Sequence, residues 1–178
     1  MTGDRVEHKH AALVIARISI GFVFFWAFID KLIGLGYPTC RERATGEYLG
    51  LLCEKAWAMG GSPTAAFLSG VDGPFKWLFN PMAGHPVVNT LFMLCLLGVG
   101  VAFIVGAGLR PGAWAGSTLM AGMWLAQRGT YATNPFMDEH VIYAIVLFLL
   151  AHLDAGARFG LGVRWRATRL VMRHRWLA

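Results

Sequence analysis

The sequence predicts an all-α integral membrane protein: a bundle of four transmembrane helices, a helical extracytoplasmic segment and an amphipathic, basic C-terminal tail. Three observations predict it. Apolar residues make up 56% of the 178 residues and charged residues only 15%, where a soluble domain is nearer a quarter charged. Apolar runs close to bilayer length recur at about 11–29, 87–105, 113–128 and 135–153, and a bilayer core takes roughly 20 helical residues. Arginines crowd behind the last run. The length suits one domain, residues 1–178. A net charge of +6 raises nucleic acid as a partner. The excess lies at the C-terminus beside apolar spans, so an anionic lipid surface is expected instead.

The first run, Ala11 to Ile29, is broken only by Arg17 and ends at Asp30-Lys31. It is too long for the apolar stretch of a signal peptide, and no small-residue cleavage site follows it. Arg17 falls about six residues, roughly 9 Å, inside the span. Snorkelling to the inner face, a structural pair and a substrate anion are all open to it. Residues 36–85 mix charges, glycines, prolines and aromatics and read as an outward segment. Thr45 to Met59 reads as a short helix stopped by Gly60-Gly61, and Ser62-Pro63 as another helix start. The aromatic stretch from Gly73 to Phe79 suits an interface. Cys40 and Cys53 share this outward segment, the compartment where disulfides persist. A structural disulfide is expected, with two free thiols as the alternative.

The second run carries Gly98, Ala102 and Gly106, one small residue every four, which allows close helix approach. After the Gly108–Gly112 turn comes the third run, with a Gly112/Gly116 pair. The fourth has a favoured N-cap in Asn134 and Pro135 at the first helical position. Asp138 and Glu139 fall in its first turns, at the positive end of the helix dipole. The tail, residues 155–178, places Leu161, Trp165, Thr168, Met172 and Trp176 in a stripe between arginines, the pattern of an amphipathic helix on the inner leaflet. A disordered basic tail is the alternative. The positive-inside rule puts the C-terminus in the cytoplasm, and four spans return the N-terminus to the same side.

That orientation gathers ionisable groups at the outer helix ends: Asp30 and Lys31, then Trp124 and Arg128, then Asn134, Asp138, His140 and Tyr143. His140 and Tyr143, three residues apart, share a helix face. A His and a Tyr near the acyl boundary suit hydrogen bonding to quinone carbonyls, with Trp124 as a flat apolar surface. Lys31 and Arg128 suit a small anion. The alternative is a set of interfacial anchors and ion pairs such as Arg128 with Asp138. No metal site is expected: Cys95 is mid-span, His85 is isolated, and no ligand spacing fits zinc or iron–sulfur. His140 and His152 lie near opposite ends of one helix, which excludes a shared haem.

Several stretches together resemble the DoxX/DoxD family of small four-span membrane proteins. They are Arg17, Gly21–Phe24 and Asp30-Lys31-Leu32; Gly106–Arg110; Met123–Leu125; and Asn134–His140. The resemblance implies a bacterial or archaeal cell membrane. It implies the membrane subunit of a thiosulfate:quinone oxidoreductase, with thiosulfate as donor and quinone as acceptor. It leaves a second oxidoreductase subunit and further copies of the chain open as partners. The rival implication is a non-catalytic membrane scaffold that anchors soluble redox enzymes. A small-solute transporter ranks below both, because the paired interrupted helices and internal symmetry of many transporters are missing.

Overall fold

The computed structural model describes residues 2–42, 44–127, 134, 136–157 and 159–177. Among them, one isolated bridge between Arg41 and Tyr48 is the only β pairing, and the rest is helix, turn and loop. The long helices are α1 (Thr2–Ile33), α4 (Pro86–Val105), α5 (Leu109–Ala126) and α6 (Glu139–His152). Between α1 and α4 lie two short helices, α2 (Ala65–Ser69) and α3 (Lys76–Phe79). Beyond α6 come α7 (Gly162–Arg166) and α8 (Arg169–Arg173). Within the described residues, two stretches are long and apolar enough to cross a membrane, His10–Ile33 and Pro86–Val105.

α1 packs on α4, α4 on α5, α5 on α6, and α6 closes back on α1. Met93, Val99, Phe103 and Leu147 form the fully buried centre, with Phe24, Leu96, Met120 and Leu150 around them. Leu147→Ala is expected to cost about 2 kcal/mol or more, as buried leucine truncations do. A denaturant midpoint equal to wild type would remove Leu147 from the core.

Close helix contact falls on part of the expected set and on two glycines outside it: a Cβ on Gly112 would stand 3.3 Å from Ala102 Cβ, bringing α4 to α5 as expected. Gly98 is exposed, with open space at its Cβ position. Instead Gly21 and Gly100 let α1 meet α4: a Cβ on Gly100 would stand 2.7 Å from the Phe25 nitrogen. Gly116 does bring α5 to α6, since its Cβ would stand 2.7 Å from Leu147 Cδ1. Near that contact, Ser117 Oγ donates to the Ala144 carbonyl at 3.2 Å.

The first part of the segment between α1 and α4 is tied rather than helical. No helix forms over Thr45–Met59; only Trp57–Met59 makes a 3-10 turn. Gly46 and Gly50 take left-handed φ of 72° and 93°, which break any helical run and turn the chain back. Cys40 and Cys53 are joined by a disulfide with a Cα–Cα distance of 5.7 Å, inside the ordinary range. Closing a loop of this length is worth about 3 kcal/mol in the chain-entropy account. Cys53→Ser should lower stability by about that much, read as a shifted unfolding midpoint; no shift would mean that the remaining ties hold the loop.

The tail is two short helices, not one. Thr168 is the N-cap of α8 and its Oγ1 accepts from Val171 N at 3.4 Å, so the expected stripe breaks there. Leu161, Met172 and Trp176 remain exposed while Val171 is buried. Trp165 Nε1 donates to the Leu177 carbonyl at 2.9 Å, folding the tail on itself. Leu161 N donates to the Val105 carbonyl at 3.0 Å and fastens the fold to the end of α4.

Candidate functional site

The candidate site is an apolar groove between α5 and α6. Met120, Ala121 and Trp124 line it from α5. His140, Val141, Ala144, Ile145, Phe148 and Leu149 line it from α6, and Phe136 closes the mouth. Its volume is about 560 Å³. Ile145 and Leu149 are exposed on its rim, so the groove opens sideways along α6.

The start of α6 builds the polar end of the groove. Asp138 is the N-cap, and its Oδ1 accepts from Val141 N at 3.1 Å. Its Oδ2 lies 2.7 Å from Nδ1 of His140, and both side chains are buried. A carboxylate on Nδ1 holds the ring proton there and fixes the ring's orientation. Nε2 is then the ring atom left for a ligand. One carboxylate therefore starts the helix and positions the imidazole.

The helix begins later than the sequence suggests. Asn134 does not cap it: its Oδ1 accepts from Phe136 N at 3.0 Å and Met137 N at 3.1 Å, closing a turn ahead of the helix. Asp138 competes better for the N-cap because its carboxylate, in extended backbone, reaches Val141 N. The α6 helix is 14 residues, about 21 Å long, shorter than the roughly 30 Å bilayer core. Pro135 lies outside the described residues, as does Arg128.

The structure brings Trp124, His140 and, behind the ring, Asp138 together, while Tyr143, Asp30 and Lys31 do not line the groove. Tyr143 packs half-buried against the core and does not line the groove. Asp30 is fully buried, and both its oxygens are used by backbone amides: Tyr37 N at 2.7 Å and Thr39 N at 3.0 Å. It ties down the loop after α1 instead of facing a ligand. Lys31 lies half-buried, with Nζ 6.0 Å from the centroid of the Phe92 ring. Arg17 does not snorkel. It is 1% exposed, and its Nη1 and Nη2 donate to the carbonyls of Ala155 at 3.1 Å and Phe159 at 2.8 Å.

Ala144, Phe148 and Phe136 are groove residues that sequence reasoning missed. The signal for the first two was available: they follow His140 at four-residue intervals, as Trp124 follows Met120. Asp138, Glu139 and His140 each offer a metal-ligand atom within 4.8 Å of the others. The Asp138 oxygens are engaged by Val141 N and His140, and Glu139 is exposed, so the cluster is accounted for as a helix cap. A second, shallow depression lies over Asp72, Lys76, Trp77 and Asn80, with Trp77 well exposed, as an interfacial aromatic would be.

Compared with protein-family models, with curated proteins and with solved structures, the chain matches none.

Proposed function

We propose that the protein is the membrane subunit of a quinone-linked oxidoreductase of the DoxX/DoxD kind, with quinone reduced in the groove between α5 and α6. The observation that carries this reading is the buried His140, held through Nδ1 by Asp138 at the polar end of an otherwise apolar groove. A quinone has the same division, a flat ring with two carbonyl acceptors and an apolar tail. With both ring nitrogens protonated, His140 donates from Nε2 to a quinone carbonyl and passes that proton to it as the quinone is reduced, keeping the Nδ1 proton bonded to Asp138. Water then returns a proton to Nε2 and supplies the second one for the quinol. Trp124 supplies the apolar wall, and Phe136 covers the mouth. The groove's open flank admits the acceptor from lipid.

In this reading two thiosulfate anions each lose one electron and join through a new S–S bond as tetrathionate. The quinone takes both electrons and two protons to become quinol. Lys31, near the end of α1, and Arg128, as expected from the sequence, hold the anions. The electrons pass directly to quinone or through a partner subunit. Reduction of a soluble quinone by thiosulfate, followed with the purified protein, tests the reading. Turnover, or quinone that co-purifies and exchanges with added quinone, is the expected result. If the protein neither binds nor reduces quinone, alone or with a partner, it is a scaffold for other redox enzymes.

Four spans with both termini cytoplasmic belong to the same proposal. The arginine excess after α6 and the bundle packing of α1, α4, α5 and α6 support it. Thr45 and Thr168 are both exposed, and the one free thiol of the chain is Cys95. In a Cys95→Ala background, an impermeant thiol reagent added to intact cells should label Thr45→Cys and spare Thr168→Cys. Labelling at 168 would invert the topology.

A further inference from the structure

We propose that the folded C-terminal tail is a docking surface for anionic phospholipid, binding headgroup phosphates through arginines that have no acidic partner. From Ala155 onward the chain contains no Asp or Glu. Arg166 pairs with Asp154, the last acid before the tail. Arg164, Arg169, Arg173 and Arg175 are exposed, and among the described residues none of them has a carboxylate within ion-pair reach. Arg110, exposed in the first turn of α5, is in the same state. It stands on the part of the bundle the tail packs against: a Cβ on Gly108 would lie 3.8 Å from the Trp165 ring.

The surface is prearranged. Leu161 is bonded to Val105, Trp165 to Leu177 and Arg166 to Asp154, and Arg17 holds the two carbonyls that lead into the tail. Little ordering remains to be done on binding. Gly162 and Val171 face inward, while Val163, Leu170, Met172 and Trp176 are 54–65% exposed. Arginines interleaved with exposed apolar side chains suit a lipid surface, where guanidinium groups meet phosphates and the apolar side chains enter the acyl boundary. A nucleic acid would match the charge and leave the apolar side chains in water. The charge complementarity therefore commits the tail to anionic lipid.

The test uses the full chain in nanodiscs of equal phosphatidylglycerol and phosphatidylcholine with matched acyl chains. Both leaflets are alike, so the result is independent of topology and of quinone chemistry. Native mass spectrometry counts the lipids retained after ejection. Wild type should retain phosphatidylglycerol preferentially, and the preference should fall as salt rises. Each arginine near an anionic surface is worth roughly five-fold. The variant R164Q/R169Q/R173Q/R175Q should therefore lose roughly 600-fold in preference, while the matching Arg→Lys variant keeps it. Lack of a phosphatidylglycerol preference in wild type, or a preference indifferent to salt, overturns the proposal without recourse to any variant. So does an unchanged preference in the Gln variant, or displacement of the lipid by duplex oligonucleotide.

Discussion

His140→Ala should lower quinone-linked electron transfer by one to two orders of magnitude, and leave the protein folded in the membrane. The estimate is the loss of a general acid worth about 10²-fold. The fold survives because Asp138 still accepts from Val141 N and keeps the start of α6. Asp138→Asn is the informative companion. The amide oxygen can still cap the helix, but the carboxylate that holds the imidazole is gone, so about a tenfold loss is expected. Tyr143→Phe should keep full activity, because that ring packs on the core rather than in the groove. Quinone reduction at matched folded concentration decides all three. Full activity in His140→Ala ends the groove mechanism. A large loss in Tyr143→Phe would move the site to the other face of α6.

Arg17→Ala should destabilise the protein by about 4 kcal/mol, since hydrogen bonds to a charged group are worth about 1.5–3 kcal/mol each and two are lost. The buried carbonyls of Ala155 and Phe159 are then left without their donor. One term runs the other way: Arg17 Nε is buried without a hydrogen-bond partner, and its removal relieves about 1–3 kcal/mol. The lost packing of a large, fully buried side chain outweighs that relief. Gly106 reports the same contact from the other side, because a Cβ there would collide with the Arg17 guanidinium. Unfolding in detergent measures the stability, and trypsin cleavage after Arg164 measures release of the tail. A variant with the wild-type midpoint and an equally protected tail would show that the clamp holds nothing.

Some of this was legible in the sequence. α1 and α4 follow from long apolar runs, which survive any packing arrangement. Trp124 and His140 stand out because an aromatic and an ionisable group at helix mouths have few structural uses. Tyr143 illustrates the limit. A residue three places on lies about 60° behind in the helical wheel and one four places on about 40° ahead, so both count as sharing a face with His140. The position of α5 selects Ala144 for the groove and turns Tyr143 to the core. Asp30 resembles a ligand-binding acid until the loop beyond it closes, when Tyr37 and Thr39 take its two oxygens. The stretch from 45 to 59 has helical composition in places, but left-handed glycines and the disulfide override that weak preference. Thr168 is a favoured cap inside an amphipathic repeat, and local capping wins over periodicity.

Arg17 also sets a problem of timing. Its two carbonyl partners lie 138 and 142 residues further along the chain. At about 5–20 residues per second, synthesis reaches them roughly 7–28 s after Arg17 itself is made. Through that interval α1 exists with a cation in its apolar stretch and no native acceptor for it. On insertion scales a charge at the centre of a spanning helix costs about 2.5–3.5 kcal/mol, and Arg17, nearer the helix end, costs part of that. The nascent helix must therefore shelter the guanidinium elsewhere, against water, lipid phosphate or the insertion machinery, and exchange that shelter for Ala155 and Phe159 last. Chains truncated before residue 155 would be left at this stage, with Arg17 still without the Ala155 and Phe159 carbonyls.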